Sequence, residues 1–256
     1  MSFDTAQMGM DRRSFLTRAG VAGAGLVGAA FLAGCGGTSS GSNSNGGDNE
    51  IISVAIVAEA LAVTTYTNII ESDIYKVHLA GNSNDQAYLV AAQAEEQIHL
   101  NNLVQTIGGS NPTISFYYPV GMFTNIQVTL NTLVALEEAF IAAYLVGVDQ
   151  FSTPSLRVLA ARILGIESDH RSLARVIAAD LGLVTVTGLS TEPANVKPAN
   201  NLGYEQTFLL QSIGDAQTVL LPYTDATNAA AAGFSSTAFP YSEINVNNSP
   251  YNNIGS

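Results

Sequence analysis

Between Ile51 and Gly182 the chain is written in four long apolar runs, whose few polar residues recur at helical rather than alternating spacing. The first, "IISVAIVAEALAVTTYTNIIESDIYKVHLA", contains neither Gly nor Pro and is broken by "AGNSND" at 80–85. The second covers 84–107 and stops at Gly108-Gly109. "SNPTISFYYPVGMFTN" follows, with two prolines and little periodicity. A third run, 124–150, contains "LNTLVALEEAFIAAYLVGV". After "FSTPS", where Ser152 or Thr153 is the expected N-cap and Pro154 the first helical residue, the fourth run extends over 154–181 and ends at Gly182.

The connections are short, long and short. That pattern predicts an all-α four-helix bundle over residues 51–185, built from two antiparallel hairpins with a long crossover between helices 2 and 3. A crossover of roughly 16 residues reaches about 50 Å when extended, enough to run back along a bundle. Beyond residue 186 the character changes. "GLSTEPANVKPANN" is rich in Pro and Asn, 204–223 allows one more helix, and the closing "NVNNSPYNNIGS" has no period. Residues 186–256 read as a partly irregular C-terminal extension that packs on the bundle or trails from it.

The polar residues inside these runs carry the chemistry. Glu59 is the only charge between Ile51 and Ile70, and Glu137 and Glu138 are the only charges between Phe123 and Val148. Helix 2 carries Glu96-Gln97-Ile98-His99 and helix 4 carries Glu167-Ser168-Asp169-His170. Two of the three histidines of the chain thus sit in Glu-x-x-His, a spacing that lets both side chains reach one point. A buried carboxylate costs several kcal/mol unless it is paired, protonated or metal-bound. Helices 1 to 3 offer only Lys76 as a cation, far in sequence from Glu59, Glu96 and Glu137. Four acidic helices therefore need a shared reason, and four Glu with two His match a two-metal inventory.

The ordered set Glu, Glu-x-x-His, Glu, Glu-x-x-His over residues 51–182 resembles the ferritin-like di-metal carboxylate superfamily. "LEEAFIAAY" and "ESDH" look most like its small exported, desiccation-associated members. The resemblance implies a ferritin-like four-helix bundle with two metal ions, iron ahead of manganese. It implies Glu59 and His99 on one ion, Glu137 and His170 on the other, and Glu96 and Glu167 bridging. Glu95 and Glu138 are the adjacent alternatives, about 100° around their helices, and read as solvated. Asp169 reads as surface, or as a partner to a ligand, and His78 as an exposed or capping residue. Tyr66 and Tyr144 each follow a Glu by seven residues, close to two turns, which suggests an internal repeat of helices 1–2 against 3–4. Each can pack in the core, hydrogen-bond a ligand carboxylate or donate an electron.

The N-terminus reads as an address. Arg12-Arg13 with Ser14-Phe15-Leu16 resembles a twin-arginine export signal. An apolar, Gly-rich run over 19–34 follows, and "LAGC" resembles a lipoprotein box with Cys35 lipidated. Residues 1–35 are then the signal and 36–50, "GGTSSGSNSNGGDNE", a flexible tether. The expected location is the cell envelope, with membrane lipid as a partner through Cys35. Cys35 is the only cysteine, so no intrachain disulfide forms. With 9 basic and 21 acidic residues, net −12, the chain lacks a basic footprint and nucleic acid is excluded as a partner. The expected activity is oxygen- or peroxide-reactive redox chemistry, as a ferroxidase or peroxide consumer, with a manganese catalase-like variant. The rival class is a structural or stress-protective envelope protein whose metal only braces the bundle. The sequence sets no oligomeric state.

Overall fold

The computed structural model describes residues 46–79, 81–183 and 210–246. The export signal with Arg12 and Arg13, the lipidation site Cys35 and most of the tether lie outside the described residues.

Four long helices form the bundle: α1 Gly46–Glu71, α2 Ser83–Ile107, α3 Ile126–Gln150 and α4 Pro154–Asp180. A single π-helical turn, Tyr75–Leu79, separates α1 from α2. Helix α1 packs chiefly on α2 and α3 on α4, so the hairpins are the two halves of the sequence. The local signals act at the ends. Asn82 and Asn125 are extended N-caps whose side chains accept from Asn84 N at 3.0 Å and Gln127 N at 2.9 Å. Gly108, with φ of 63°, closes α2 in the left-handed conformation. Helices α1 and α3 are long and apolar enough to cross a membrane by length and composition, yet both are mostly packed inside the bundle. Thr64 and Thr65 of α1 donate their hydroxyls to the carbonyls four residues back, which satisfies these buried groups within the helix.

Helix α1 begins inside the expected tether. Asp48 in its first turn is buried and accepts four hydrogen bonds, from the backbone N–H and hydroxyl of both Ser152 and Thr153, at 2.7–3.1 Å. Thr153 is the N-cap of α4 and Pro154 its first residue, but the Thr153 hydroxyl turns to Asp48 instead of to its own helix. Burial pushes the Asp48 carboxyl up, and the hydrogen bonds from Thr153 and Ser152 outweigh it and hold the group below the ordinary Asp value.

The described part of the C-terminal extension docks on the bundle. It contains α5, Ile213–Thr224, started by a capping box between Ser212 and Asp215, and the short α6, Ala226–Ala231. It also clamps the crossover: β1, Ser115–Phe116, pairs antiparallel with β2, Phe239–Pro240. Tyr117 N donates to Tyr223 O at 2.8 Å, and Tyr118, Phe123, Tyr223, Phe234 and Phe239 form an aromatic knot behind the strands. Gln97, inside the Glu-x-x-His of α2, is fully buried and its carbonyl accepts from Tyr241 Oη and Ile244 N at 3.2 and 3.1 Å. The extension therefore reaches the motif helix itself.

Candidate metal centre

Each of the four bundle helices sends one glutamate to the same interior volume. Glu59, Glu96, Glu137 and Glu167 are at most 2% exposed, with His99 and His170 at 7% and 2%. They fall into two overlapping quartets: Glu59, Glu96, His99 and Glu167, and Glu96, Glu137, Glu167 and His170. Within each, one oxygen or nitrogen per residue lies within 4.8 Å of the others. Glu96 and Glu167 belong to both quartets.

The histidines sit between the carboxylates. His99 Nδ1 lies 3.3 Å from Glu96 Oε2, 3.3 Å from Glu167 Oε1 and 3.5 Å from Glu59 Oε2. His170 Nδ1 lies 2.8 Å from Glu96 Oε1 and 3.6 Å from Glu167 Oε2. Among the described residues, the ion pairs of these four glutamates are with histidine alone.

The tyrosines cross over. Tyr66 of α1 donates to Glu137 Oε1 of α3 at 2.6 Å, and Tyr144 of α3 donates to Glu59 Oε1 of α1. The seven-residue spacing puts each Tyr on its own glutamate's face, but the facing helices run so that each phenol reaches the other helix's carboxylate. Burial, and then the charge of Glu137 or Glu59, pushes both phenols far above the usual tyrosine range, so both remain proton donors.

Two participants lie outside the ligand pattern of the sequence. Glu95, expected in solvent, is only about one-third exposed and its Oε2 lies 2.8 Å from His170 Nε2. The neighbouring α4 helix takes up the position that a lone helix would leave to water. Tyr88 is buried, its hydroxyl lies 3.2 Å from that of Tyr66, and it donates to the His170 carbonyl at 2.5 Å. Its signal was its spacing: Tyr88 and Glu95 are seven residues apart on α2 and both meet His170. Glu138, the other residue read as solvated, is half-buried and its charge acts on the buried Arg171 of α4. Asp169 and His78 are exposed.

The electrostatics of the cluster are those of too many carboxylates in one dry space. Burial and the charge of Glu167 push Glu59 and Glu137 well above the ordinary Glu value. Burial would also raise Glu96, but the charge of His170 and the hydrogen bonds from both histidines hold it far below that value. The histidines move up: burial opposes their charge, and the carboxylates, led by Glu59 for His99 and Glu96 for His170, overcome it. Even so, Glu59 Oε2, Glu137 Oε2 and both oxygens of Glu167 make no hydrogen bond. Buried carboxylate oxygens without hydrogen bonds, gathered around two imidazoles, are a donor set that could hold a cation.

The family model described as "Ferritin-like domain" matches residues 47–180, just over half of the chain. No curated protein and no solved structure matches it.

Proposed function

The chain belongs to the ferritin-like domain family, and from that premise we propose that the two quartets hold a pair of metal ions, iron ahead of manganese, in an exported, membrane-anchored protein that reacts with oxygen or peroxide. One observation carries the reading: two carboxylates are common to both quartets, and the cluster keeps four buried oxygens without a hydrogen-bond donor. Such oxygens cost about 1–3 kcal/mol each or more when left unmade. Two cations between Glu96 and Glu167 would satisfy them together.

The residues divide the work. Glu59 with His99 and Glu137 with His170 would each hold one ion, with Glu96 and Glu167 shared. Tyr144 and Tyr66 fix one oxygen of Glu59 and of Glu137 and leave the other facing the cluster. Glu95 occupies the outer nitrogen of His170, which orients the ring with Nδ1 toward Glu96. When bound, a redox-active pair supplies electron exchange with a small oxidant; oxygen and nitrogen donors suit iron and manganese alike. Anchoring through Cys35, after export directed by Arg12 and Arg13, places that chemistry at the envelope.

Elemental analysis of protein purified from its native compartment tests the centre. Two equivalents of iron or manganese per chain, with consumption of dioxygen or peroxide, are expected. A metal-free protein overturns the reading, and two equivalents of metal without turnover replace redox chemistry by a bracing role. For the address, Cys35→Ala should leave the protein unanchored, and Arg12→Lys with Arg13→Lys should stop export. Export of the double variant removes the twin-arginine assignment.

A further inference from the structure

The C-terminal extension grips α2 between two residues of its ligand motif. Gln97 lies between Glu96 and His99 and is fully buried. Its Oε1 accepts from Tyr241 Oη at 3.2 Å and from Ile244 N at 3.1 Å, and its Nε2 donates to Asn101 Oδ1 at 2.9 Å. One amide thus joins the motif helix to the extension. The joined segment is itself held, because Tyr241 N donates to Ile114 O at 2.9 Å beside the β1–β2 pair. The same layer touches α1. Tyr118, whose ring packs on Phe239, has its hydroxyl 3.1 Å from Thr65 Oγ1. Thr65 directly precedes Tyr66, which donates to Glu137. Crossover and extension together hold a neighbour of a cluster residue on both helices of the first hairpin.

A grip at Gln97 fixes how α2 is turned about its own axis. At about 100° per residue, Gln97 leaves the helix about 100° from Glu96 and about 160° from His99, so it holds the helix from behind its ligands. Side-chain ends lie about 5–6 Å from a helix axis, so a turn of about 10° carries Glu96 and His99 by about 1 Å. Metal–ligand distances tolerate about 0.2 Å. Tyr241 and Ile244 lie beyond the family-matched residues 47–180, so the grip is no part of the shared bundle. On α4 the residue after the motif glutamate is Ser168 rather than an amide.

We propose that Gln97 and Tyr241 are positioning residues for the metal centre: docking of the extension on Gln97 sets Glu96 and His99 for metal, and metal binding in turn tightens the docking. The inference rests on the metal reading above. Coupling between two binding events is reciprocal. The factor by which docking improves metal affinity is therefore the factor by which metal suppresses undocking.

Titration of the full chain with Mn(II) tests both directions. Tyr241→Phe removes one hydrogen bond to Gln97, and Gln97→Met removes both. Mn(II) binding should weaken severalfold in Tyr241→Phe and about tenfold in Gln97→Met, the lower end for loss of a residue that supports a ligand. In the wild type, Mn(II) should slow hydrogen exchange over residues 239–246 by about the same tenfold. It should slow 213–224 by less, because α5 takes no part in the Gln97 hydrogen bonds. A purely structural role would lower the melting temperature in chelator and leave the Mn(II) dissociation constants alone. If Gln97→Met does not fold, Tyr241→Phe, whose side chain is only partly buried, carries the affinity test. Wild-type Mn(II) affinity in Tyr241→Phe, or equal protection of the two segments, overturns the proposal and leaves the metal reading standing. A wild-type protein that binds no Mn(II) overturns the metal reading, and the coupling with it.

Discussion

In the Glu59–His99 half of the cluster a single tyrosine, Tyr144, meets the carboxylate, and an apolar chamber lies behind it. In the Glu137–His170 half Tyr66 meets the carboxylate, Tyr88 backs Tyr66, and Glu95 holds the far nitrogen of the imidazole. The ligands of the two halves are related by the sequence repeat; the flanks are not. Counting back eleven residues from each motif histidine gives Tyr88 on α2 but Leu159 on α4, and the residue before each motif glutamate is Glu95 on α2 but Ile166 on α4. Leu159 lines the chamber. At these repeat-related positions α2 carries Tyr88 and Glu95, which meet His170, and α4 carries Leu159, which adds to an apolar wall. The two hairpins supply matching ligands, and the residues around those ligands differ between the halves.

The largest effect should come from a residue both halves share. Glu96→Ala removes a carboxylate from both quartets at once. Metal that binds only the folded state stabilises it by about 2.7 kcal/mol at a hundredfold excess over its dissociation constant. For a domain of this size that is a rise in melting temperature of about 5–10 °C. Calorimetry with added Mn(II) should show this rise in the wild type and not in Glu96→Ala. Equal rises in both would mean that the two quartets do not share a carboxylate bridge.

That prediction uses residues visible in the sequence, and it is instructive why they are. A glutamate in an apolar run is conspicuous because desolvation forbids it without a partner, so Glu59, Glu96, Glu137 and Glu167 announce themselves. The helices are legible because period, Asn caps and Gly stops are local. What was not legible is tertiary. Helix α1 starts at Gly46 because Asp48 finds Ser152 and Thr153 across the bundle, about a hundred residues away, and no local signal in "GGDNE" foretells it. The sequence pattern reads Glu95 as solvated and assigns Tyr88 no role; only the approach of α4 gives them His170 as a partner. The docking of the extension depends on an aromatic knot assembled from three separate segments.

The pH response should be large and should reverse when metal binds. In the metal-free protein Glu59, Glu137, His99 and His170 all have folded pKa values above their ordinary ones. Their contribution to stability is complete below about pH 4.5 for the carboxyls and 6.5 for the imidazoles. It is lost as pH rises through the elevated folded values. Glu96, held low, acts oppositely: its contribution is present above about 4.5 and is lost as pH falls. Melting temperature in chelator should therefore decline from mildly acidic pH upward. With metal the ligands must lose their protons, so stability should rise over the same interval and protons should be released on binding. Parallel curves with and without metal would place the ion elsewhere.

A smaller effect distinguishes the halves directly. Tyr66→Phe and Tyr144→Phe each remove one buried hydrogen bond to a carboxyl, about 1–3 kcal/mol of folding stability. Double-mutant cycles should find Tyr66→Phe coupled to Glu137→Gln and additive with Glu59→Gln, with the reverse for Tyr144→Phe. Coupling of each tyrosine to the glutamate of its own helix would show that the phenols do not cross between α1 and α3.

The smallest effect belongs to Glu95, which touches no oxygen of the quartets and acts only through His170. Metal-bound histidines commonly donate their second ring N–H to a carboxylate, and loss of such a partner weakens metal binding by about 10–100-fold. Glu95 is about one-third exposed, so water can replace part of what it provides, and the lower end of that range is expected. Glu95→Gln keeps the shape and removes the negative charge. It should weaken one of two Mn(II) binding steps by roughly tenfold and leave the stoichiometry at two. In metal-free protein it should lower the pKa of His170 and shift its ring nitrogen resonances, while those of His99, whose three carboxylates are all met through Nδ1, stay in place. Equal displacement of both imidazoles would show that the polar flank serves the whole cluster, and the contrast between the halves would then stop at the ligands.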